Sequence, residues 1–275
     1  MKFWNFWFRS LSFVLVFIFG CKQMLGSSTL KDTITVKDLS KETTVILVFG
    51  QSNSSNYGQS KYDCKWEVYN WYDGKIVKAR DPLKGADGQG GSVWGRLGDK
   101  MIESGLASKV LLVPLGIGST TVADWSKGGI HHGKLLTTLT KLEEQHINID
   151  LIIWHQGESD NFKNTSSSDY IESFEVIRKA IIDYGVIAPI FMSIASYHPN
   201  VNSLKNKNLG CDPDIQAAQH ALIKNYPDIF AGVNTDKLDK SYYRYDGIHF
   251  SVLGLEKNAS LWLEVLKHYQ DYYNY

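Results

Sequence analysis

Five short runs of aliphatic and β-branched residues alternate with stretches whose apolar residues recur at helical spacing, and this alternation limits the possible folds most strongly. The first run, Thr43 to Phe49, ends at a glycine and is typical of a strand that is buried on both faces. The other runs are 110–115, 151–154, 188–194 and 229–233. Helical spacing is found at 135–142, 171–181, 215–226 and 255–269. Strands and helices in this order predict β-α-β crossovers and a parallel sheet covered by helices on both sides.

The pattern predicts one α/β domain over residues 43–275, because neither an internal repeat nor a second type of composition interrupts it. We expect a three-layer α/β/α sandwich with a central, mostly parallel five-stranded sheet. Residues 56–93 do not fit the alternation and are rich in Trp, Tyr and Gly. They are interpreted as a long loop, and a loop of that length in a compact domain usually has a function.

The first twenty residues are predicted to be a signal peptide. Lys2 and Arg9 precede an apolar run, Leu11 to Gly20, that is too short to span about 30 Å of hydrocarbon. The sequence Ile-Phe-Gly before Cys21 is similar to a bacterial lipoprotein signal, in which Cys21 would carry the lipid. We therefore expect an exported protein that a lipid anchors to a membrane, at the periplasmic or cell surface. Secretion without a lipid and a retained membrane span are the alternatives.

Residues 21–42 mix Ser, Thr, Lys and Asp without sustained periodicity and are predicted to be a tether ahead of the domain. The other two cysteines, Cys64 and Cys211, would form an even pair if Cys21 is lipidated. In an oxidising compartment they could form a disulfide, and two separate free thiols are the alternative.

Charge and cysteine content exclude several classes of function. The 29 Lys and Arg balance 29 Asp and Glu, so no basic footprint predicts binding to nucleic acid. Three cysteines without a paired Cys or His motif do not predict a zinc site. We expect neither a metal nor an organic cofactor, and nothing in the sequence implies an obligate protein partner.

Polar clusters follow three predicted strands, and a fourth cluster precedes the last helix. They are Gly50-Gln51-Ser52-Asn53, Gly116-Ile117-Gly118-Ser119-Thr120, His155-Gln156-Gly157-Glu158-Ser159-Asp160 and Asp246-Gly247-Ile248-His249. Each cluster alone is a weak signal. Because open parallel sheets bind ligands beyond the carboxyl ends of their strands, the four together predict one site with a nucleophile, a base, a carboxylate and exposed backbone donors.

The four blocks GQSN, VPLGIGSTTVADW, WHQGESD and DGIH resemble the SGNH hydrolase superfamily, in the order of that superfamily. Within it they resemble the carbohydrate acetylesterase branch that includes sialate O-acetylesterases and plant-type acetylxylan esterases. The resemblance spans residues 45–250 and implies a flavodoxin-like fold. It also implies an enzyme that removes O-acetyl groups from carbohydrate without a cofactor. It implies Ser52 as the nucleophile, His249 as the base and Asp246 as the partner of that base.

Acyl transfer requires this kind of residue set. A serine hydroxyl is a poor nucleophile until an imidazole accepts its proton, so His249 would activate Ser52 and later protonate the departing sugar alcohol. The oxyanion needs hydrogen-bond donors, for which the candidates are the Ser52 amide, the backbone amide of Gly118 or Ser119, and the Gln156 side chain. A GxSxG motif is absent around Ser52, which argues against an α/β-hydrolase lipase.

Four further polar residues of these blocks, Gln51, Asn53, Glu158 and Asp160, are predicted to support the site or contact the substrate. We expect Glu158 to bond neighbouring loops and hold Gln156, rather than pair with Asp160 as the two acids of a glycosidase. A second hypothesis for the whole protein is a surface lipoprotein that binds carbohydrate without turnover. The intact set of Ser52, Asp246, His249 and Gln156 favours the enzyme, whereas the acetylated glycan itself stays open.

Overall fold

A computed structural model describes residues 31–199 and 210–273 of the chain. The predicted signal peptide and Cys21 lie outside these residues. Within 31–199 and 210–273, no helix combines the length and the apolar character needed to cross a membrane. Export and lipid anchoring therefore stay predictions.

One mixed sheet of eight strands forms the centre of the domain, in the order β1-β4-β3-β5-β2-β6-β7-β8. Its strands are β1 (Thr33–Ile34), β2 (Thr43–Gly50), β3 (Val68–Tyr72), β4 (Lys75–Lys78), β5 (Lys109–Pro114), β6 (Leu151–His155), β7 (Ile190–Ile194) and β8 (Ile229–Asn234). The six strands from β3 to β8 along this order pair in parallel, and β4 and β1 add an antiparallel edge.

Helices cover both faces of the sheet, which confirms the predicted α/β/α sandwich. They are α1 (Trp94–Glu103), α2 (Val122–Trp125), α3 (His132–Glu144), α4 (Glu158–Lys163), α5 (Ser167–Asp183), α6 (Pro213–Asn225) and α7 (Val252–Tyr273). One apolar cluster lies under α2, α3, α5 and α6, and the other lies under α1 and α7. Alternate residues of β2 enter the two clusters, Val45 and Leu47 on one side and Ile46 and Val48 on the other. This explains the unbroken apolar run of that strand.

The prediction of five strands was too low. All five are present as β2, β5, β6, β7 and β8, but the segment interpreted as a long loop contains the hairpin of β3 and β4. Its two-residue turn is Asp73-Gly74, with φ values of 49° and 79°. Asp-Gly at two positive φ angles is the residue pair that a tight hairpin favours. The predicted tether was also partly wrong, because Thr33–Ile34 pairs with β4 and the folded region begins before residue 43.

The chain order of the strands fixes where a site can form. From β2, the chain places β5 on one side and β6 on the other, so the carboxyl end of β2 lies at a topological switch point. Here Gly50 has a φ of 130°, and a Cβ at this position would lie 2.1 Å from the carbonyl oxygen of His155. Only glycine permits the first polar block to turn away so close to the end of β6.

Candidate active site

Ser52 begins a short 3-10 helix, Ser52–Ser54, directly after β2. The residue is 5% exposed, and within residues 31–199 and 210–273 its hydroxyl has no hydrogen-bond partner. The start of a helix leaves backbone N–H groups without intrahelical acceptors. The hydroxyl is therefore available for chemistry beside donors that could receive a developing negative charge.

His249 and Asp246 form a pair within one turn of the last block. Nδ1 of His249 lies 2.6 Å from Oδ2 of Asp246, and the amides of Ile248 and His249 donate to Oδ1 at 2.9 and 2.7 Å. Partial burial opposes ionisation of Asp246, but these donors outweigh it and lower the pKa of the carboxyl. An ionised Asp246 that accepts from Nδ1–H leaves Nε2 of His249 able to accept a proton.

Contacts join the first polar block to each of the other three. The Ile117 amide donates to the Gly50 carbonyl at 3.0 Å, and Oε1 of Gln51 accepts from the Ser159 amide at 2.9 Å. Nδ2 of Asn53 donates to the carbonyl of Ile248 at 3.4 Å. The neighbours of Ser52 and His249 are thus in contact, although almost two hundred positions separate them in the chain.

Tyr57 and Asp87 belong to the site, although the sequence analysis did not assign them a role. The Tyr57 ring stacks on the imidazole of His249, with centroids 5.1 Å apart. Its hydroxyl donates to Oδ2 of Asp87 at 2.7 Å, and the same oxygen accepts from the Gly118 amide at 3.3 Å. Aspartate and tyrosine are common in loops, so the sequence carried no signal for this contact with His249.

The second polar block, Gly116 to Thr120, passes close to Tyr57 and Asp87. A Cβ at Gly118 would lie 2.6 Å from the hydroxyl oxygen of Tyr57, and Ser119 has a φ of 61°. A positive φ is costly for serine and is more often adopted by glycine. The Gly118 amide, one of the two candidate oxyanion donors of this block, donates to the Asp87 carboxylate at 3.3 Å.

The predicted oxyanion role of Gln156 is not supported by its surroundings. Its side chain is fully buried, and Nε2 donates to the Thr120 carbonyl at 3.0 Å and to Oδ2 of Asp160. A third acceptor, Oε1 of Gln51, lies 3.4 Å from Nε2, so acceptors of this chain surround both protons of the amide. Oε1 of Gln156 is buried without a partner among the described residues. The side chain therefore faces inward, towards Asp160, and not towards an open cleft.

Asp160 holds Gln156, which was expected of Glu158, whereas Glu158 makes the expected bond to a neighbouring loop. The Asp160 carboxyl holds Gln156 and accepts the Val122 amide at 2.9 Å, and burial raises its pKa to about 6. Glu158 bonds Asn53 instead, and no hydrogen bond within the described residues joins it to Gln156. Paired glycosidase acids are not supported, since Glu158 and Asp160 are 1% and 0% exposed.

The carboxyl of Glu158 lies beneath the turn that carries Ser52 and Asn53. Oε1 accepts from Nδ2 of Asn53 at 2.8 Å and lies 3.3 Å from Nε2 of His155. Burial alone would raise the pKa of Glu158, but His155 and Asn53 outweigh it and lower the pKa to about 2. The charge of Glu158 thus fixes Asn53, the residue that reaches across to Ile248.

Arg244 stabilises the loop that carries the fourth polar block, Asp246 to His249. This 2%-exposed guanidinium donates to the carbonyls of Leu238, Thr235 and Ile248, at 2.8, 2.9 and 2.5 Å. It lies 4.2 Å from the ring centroid of Phe250, with which its backbone also forms a bridge. Arg244 therefore fixes the ends of the loop that carries Asp246 and His249, and no motif in the sequence indicated it.

The two cysteines of the domain, Cys64 and Cys211, are not bonded to each other. Both cysteines are free, so the alternative of two separate thiols is the one that the structure contains. Trp66 is exposed, with its indole bonded to Glu103, whereas four other aromatic residues of the segment 66–125 are buried. The four buried ones are Tyr69, Trp71, Trp94 and Trp125.

With this geometry in place, comparison with known families decides the class of the protein. A carbohydrate esterase family, described as sialic acid-specific acetylesterase, matches residues 42–252. The chain belongs to this family. It is accordingly a carboxylic ester hydrolase, as its polar blocks had indicated. A comparison with curated proteins found no match.

Solved structures of low sequence identity share this fold. A protein of Arabidopsis thaliana is 16% identical, with a TM-score of 0.61 over 83% of this chain and 98% of the other. The psychrotrophic esterase EstA of a Pseudoalteromonas species is 13% identical, with a TM-score of 0.53 over 83% and 99%. A carbohydrate acetylesterase of Xanthomonas citri is also 13% identical, with a TM-score of 0.52 over 82% and 56%. At these identities the likeness is one of fold.

Proposed function

We propose that this family member removes O-acetyl groups from carbohydrate through an acyl-enzyme intermediate on Ser52. The observation that carries the proposal is the Asp246–His249 pair at 2.6 Å, on a loop whose Ile248 carbonyl accepts from the residue next to Ser52. The family description supports a carbohydrate acetyl ester as the substrate class. The name of the Xanthomonas citri relative, a carbohydrate acetylesterase, agrees with it.

The first half-reaction acylates the enzyme. Oγ of Ser52 attacks the acetyl carbonyl while its proton passes to Nε2 of His249. The tetrahedral oxyanion accepts hydrogen bonds from the Ser52 amide and from the amide of Gly118 or Ser119. The intermediate then collapses, the bond to the sugar oxygen breaks, and His249 returns its proton to the departing alcohol.

The second half-reaction restores the serine. His249 takes a proton from water, the hydroxide attacks the acetyl-Ser52 carbonyl, and acetate leaves as Ser52 regains its proton. Asp246 remains ionised throughout and stabilises the imidazolium that forms twice in the cycle. The donors of both half-reactions are parts of this chain.

The test compares acetate release by wild type, Ser52→Ala and a control, Ser168→Ala, at an exposed serine near the start of α5. Substrates are p-nitrophenyl acetate, acetylated xylan and an O-acetylated sialic acid. We expect Ser52→Ala to lose at least about 10³-fold in kcat and the control to keep full activity. Equally slow hydrolysis by all three proteins would refute an esterase with Ser52 as its nucleophile.

We further propose that the protein is exported and held at a membrane by a lipid on Cys21. The lipoprotein-like sequence before this residue supports the proposal. Intact-mass analysis of membrane-extracted protein should show a diacyl or triacyl addition, and Cys21→Ser should abolish it. A mature wild-type protein without added mass would exclude the lipid anchor.

A further inference from the structure

A trough of about 350 Å³, with a lining that is more apolar than polar, lies beside the second block, on the same edge of the sheet as Ser52. Its floor is Pro114 and Leu115, at the carboxyl end of β5. The turn between β3 and β4 forms one wall, and the first half of α3 forms the other. Its volume falls within the range of small-molecule pockets, which begins at about 300 Å³.

The trough is lined by residues close in the chain to the second block, although neither Ser52, Gly118 nor His249 belongs to its lining. Leu115 precedes Gly118 by three residues, so their Cα atoms are within about 10 Å of each other. Nζ of Lys134, in the α3 wall, donates to the carbonyls of Leu115 at 3.0 Å and Gly85 at 2.6 Å. Gly85 lies two residues before Asp87, which bonds the Gly118 amide. A single ammonium group therefore fixes the trough wall to both loops beside the oxyanion donor.

The lining combines an aromatic face with hydroxyl and paired charged groups. Tyr72 is 48% exposed, although it ends an otherwise buried strand. Thr137 is exposed across the trough, and Lys141 forms an ion pair with Asp73 at its rim. Aromatic rings pack against the C–H faces of sugars, while hydroxyl groups need the polar partners around them.

The charged groups of the lining favour a neutral sugar over an acidic one. Lys141 and Asp73 neutralise each other, and two carbonyl oxygens already accept from the Lys134 ammonium. Burying a further carboxylate here would require a cation that is not already engaged by these partners. A neutral sugar can bind to this lining without the free-energy cost of burying an unpaired charge.

We propose that the trough is a glycan subsite for a neutral sugar unit next to the unit whose acetyl ester is cleaved. This inference rests on the proposed function and makes an acetylated neutral polysaccharide, rather than a single acidic sugar, the preferred substrate. Contacts far from the ester that are equal in ground and transition states lower KM and leave kcat unchanged. The subsite should therefore lower the KM for polymers and leave the kinetic constants for small esters unchanged.

The first experiment measures kcat and KM of Tyr72→Ala on acetylated xylan, acetylated mannan and p-nitrophenyl acetate. Tyr272→Ala, at another exposed tyrosine, is the matched control. An aromatic contact of about 1 kcal/mol corresponds to a roughly 5-fold change. We expect KM for the polymers to rise about 5- to 10-fold with kcat retained, and both constants for the small ester to stay constant. Unchanged KM on every polymer, or equal changes on all substrates, would overturn the subsite.

A binding experiment separates this inference from the esterase activity. Ser52→Ala protein is titrated calorimetrically with neutral oligosaccharides from xylan, mannan and chitin, before and after Tyr72→Ala. Binding of at least one glycan that weakens on loss of Tyr72 supports the subsite, even if the small ester is not hydrolysed. If none of the oligosaccharides binds, or if Tyr72→Ala leaves their affinity unchanged, the subsite is refuted. This holds even if p-nitrophenyl acetate is a good substrate.

Discussion

The Tyr57 ring lies stacked on the imidazole of His249, with an angle of 23° between the two planes. The hydroxyl of the same tyrosine bonds Asp87, and Asp87 bonds the Gly118 amide. One side chain therefore links the position of the proposed base to the loop of the proposed oxyanion donor. Changes on either side of Tyr57 should affect catalysis before they affect the fold.

Gly118→Ala should disturb this link, because its Cβ would lie 2.6 Å from the Tyr57 hydroxyl oxygen. We expect kcat on p-nitrophenyl acetate to fall by about 10²-fold, the order of effect seen when an oxyanion donor is misplaced. Gly133→Ala is the control, since a Cβ there meets no atom within 4 Å. Full activity of Gly118→Ala would show that neither the glycine nor the stacked tyrosine contributes to catalysis.

Asp87→Asn should increase turnover of neutral small esters. The Asp87 carboxylate opposes the negative charge that develops beside the Gly118 amide, and two charges about 4 Å apart in water interact by about 1 kcal/mol. Removal of the charge should therefore raise kcat roughly 5-fold, and the gain should shrink at high salt. A loss of activity at every ionic strength would mean that Asp87 serves mainly to hold Tyr57.

Arg244→Met should destabilise the protein by about 3–5 kcal/mol, the range for removing one buried charge from compensated surroundings. Three carbonyls would lose their donor, and the buried Glu158 and Asp236 would lose a compensating cation. Arg244→Lys keeps the charge and should lose less. Urea unfolding of both variants measures the difference, and equal stability of Arg244→Met and wild type would contradict this role.

Asp160→Asn should alter how stability depends on pH. Burial raises the pKa of Asp160 from 3.8 unfolded to about 6 folded, so the folded chain binds this proton more tightly. Its contribution, up to about 3 kcal/mol, is therefore complete below about pH 4 and is lost as pH rises through about 6. Urea unfolding between these values should show a flatter profile for Asp160→Asn. An unchanged slope would show that the carboxyl titrates normally.

Much of the fold could be predicted because periodicity alone identifies buried strands and amphipathic helices. The five core strands and the helices around Leu135, Phe174, Ile215 and Leu255 lie where this pattern placed them. The β3–β4 hairpin was missed, although Asp73-Gly74 is a turn signal, because aromatic residues on both sides obscured the alternation. Helix α1 was missed although Trp94, Leu97 and Met101 recur at helical spacing, because Gly95 and Gly98 lower the helix propensity of this segment.

The site was predictable only as far as its local motifs extend. The Asp246–His249 pair lies within one turn, so its spacing was sufficient. The direction of Gln156, by contrast, depends on Asp160 and Thr120, and the Tyr57–Asp87 and Arg244 contacts depend on loops that meet only in the folded chain. Such contacts leave no periodic trace in a single sequence.

The most direct measurement is peptide mapping by mass spectrometry after reaction with diethyl p-nitrophenyl phosphate, a reagent that phosphorylates activated serines. We expect one diethylphosphate on the peptide that contains Ser52, with loss of esterase activity in proportion to labelling and strongly reduced labelling in His249→Ala. An unlabelled Ser52 in a fully inhibited enzyme, or labelling that does not depend on His249, would contradict the claim that these two residues form the catalytic centre.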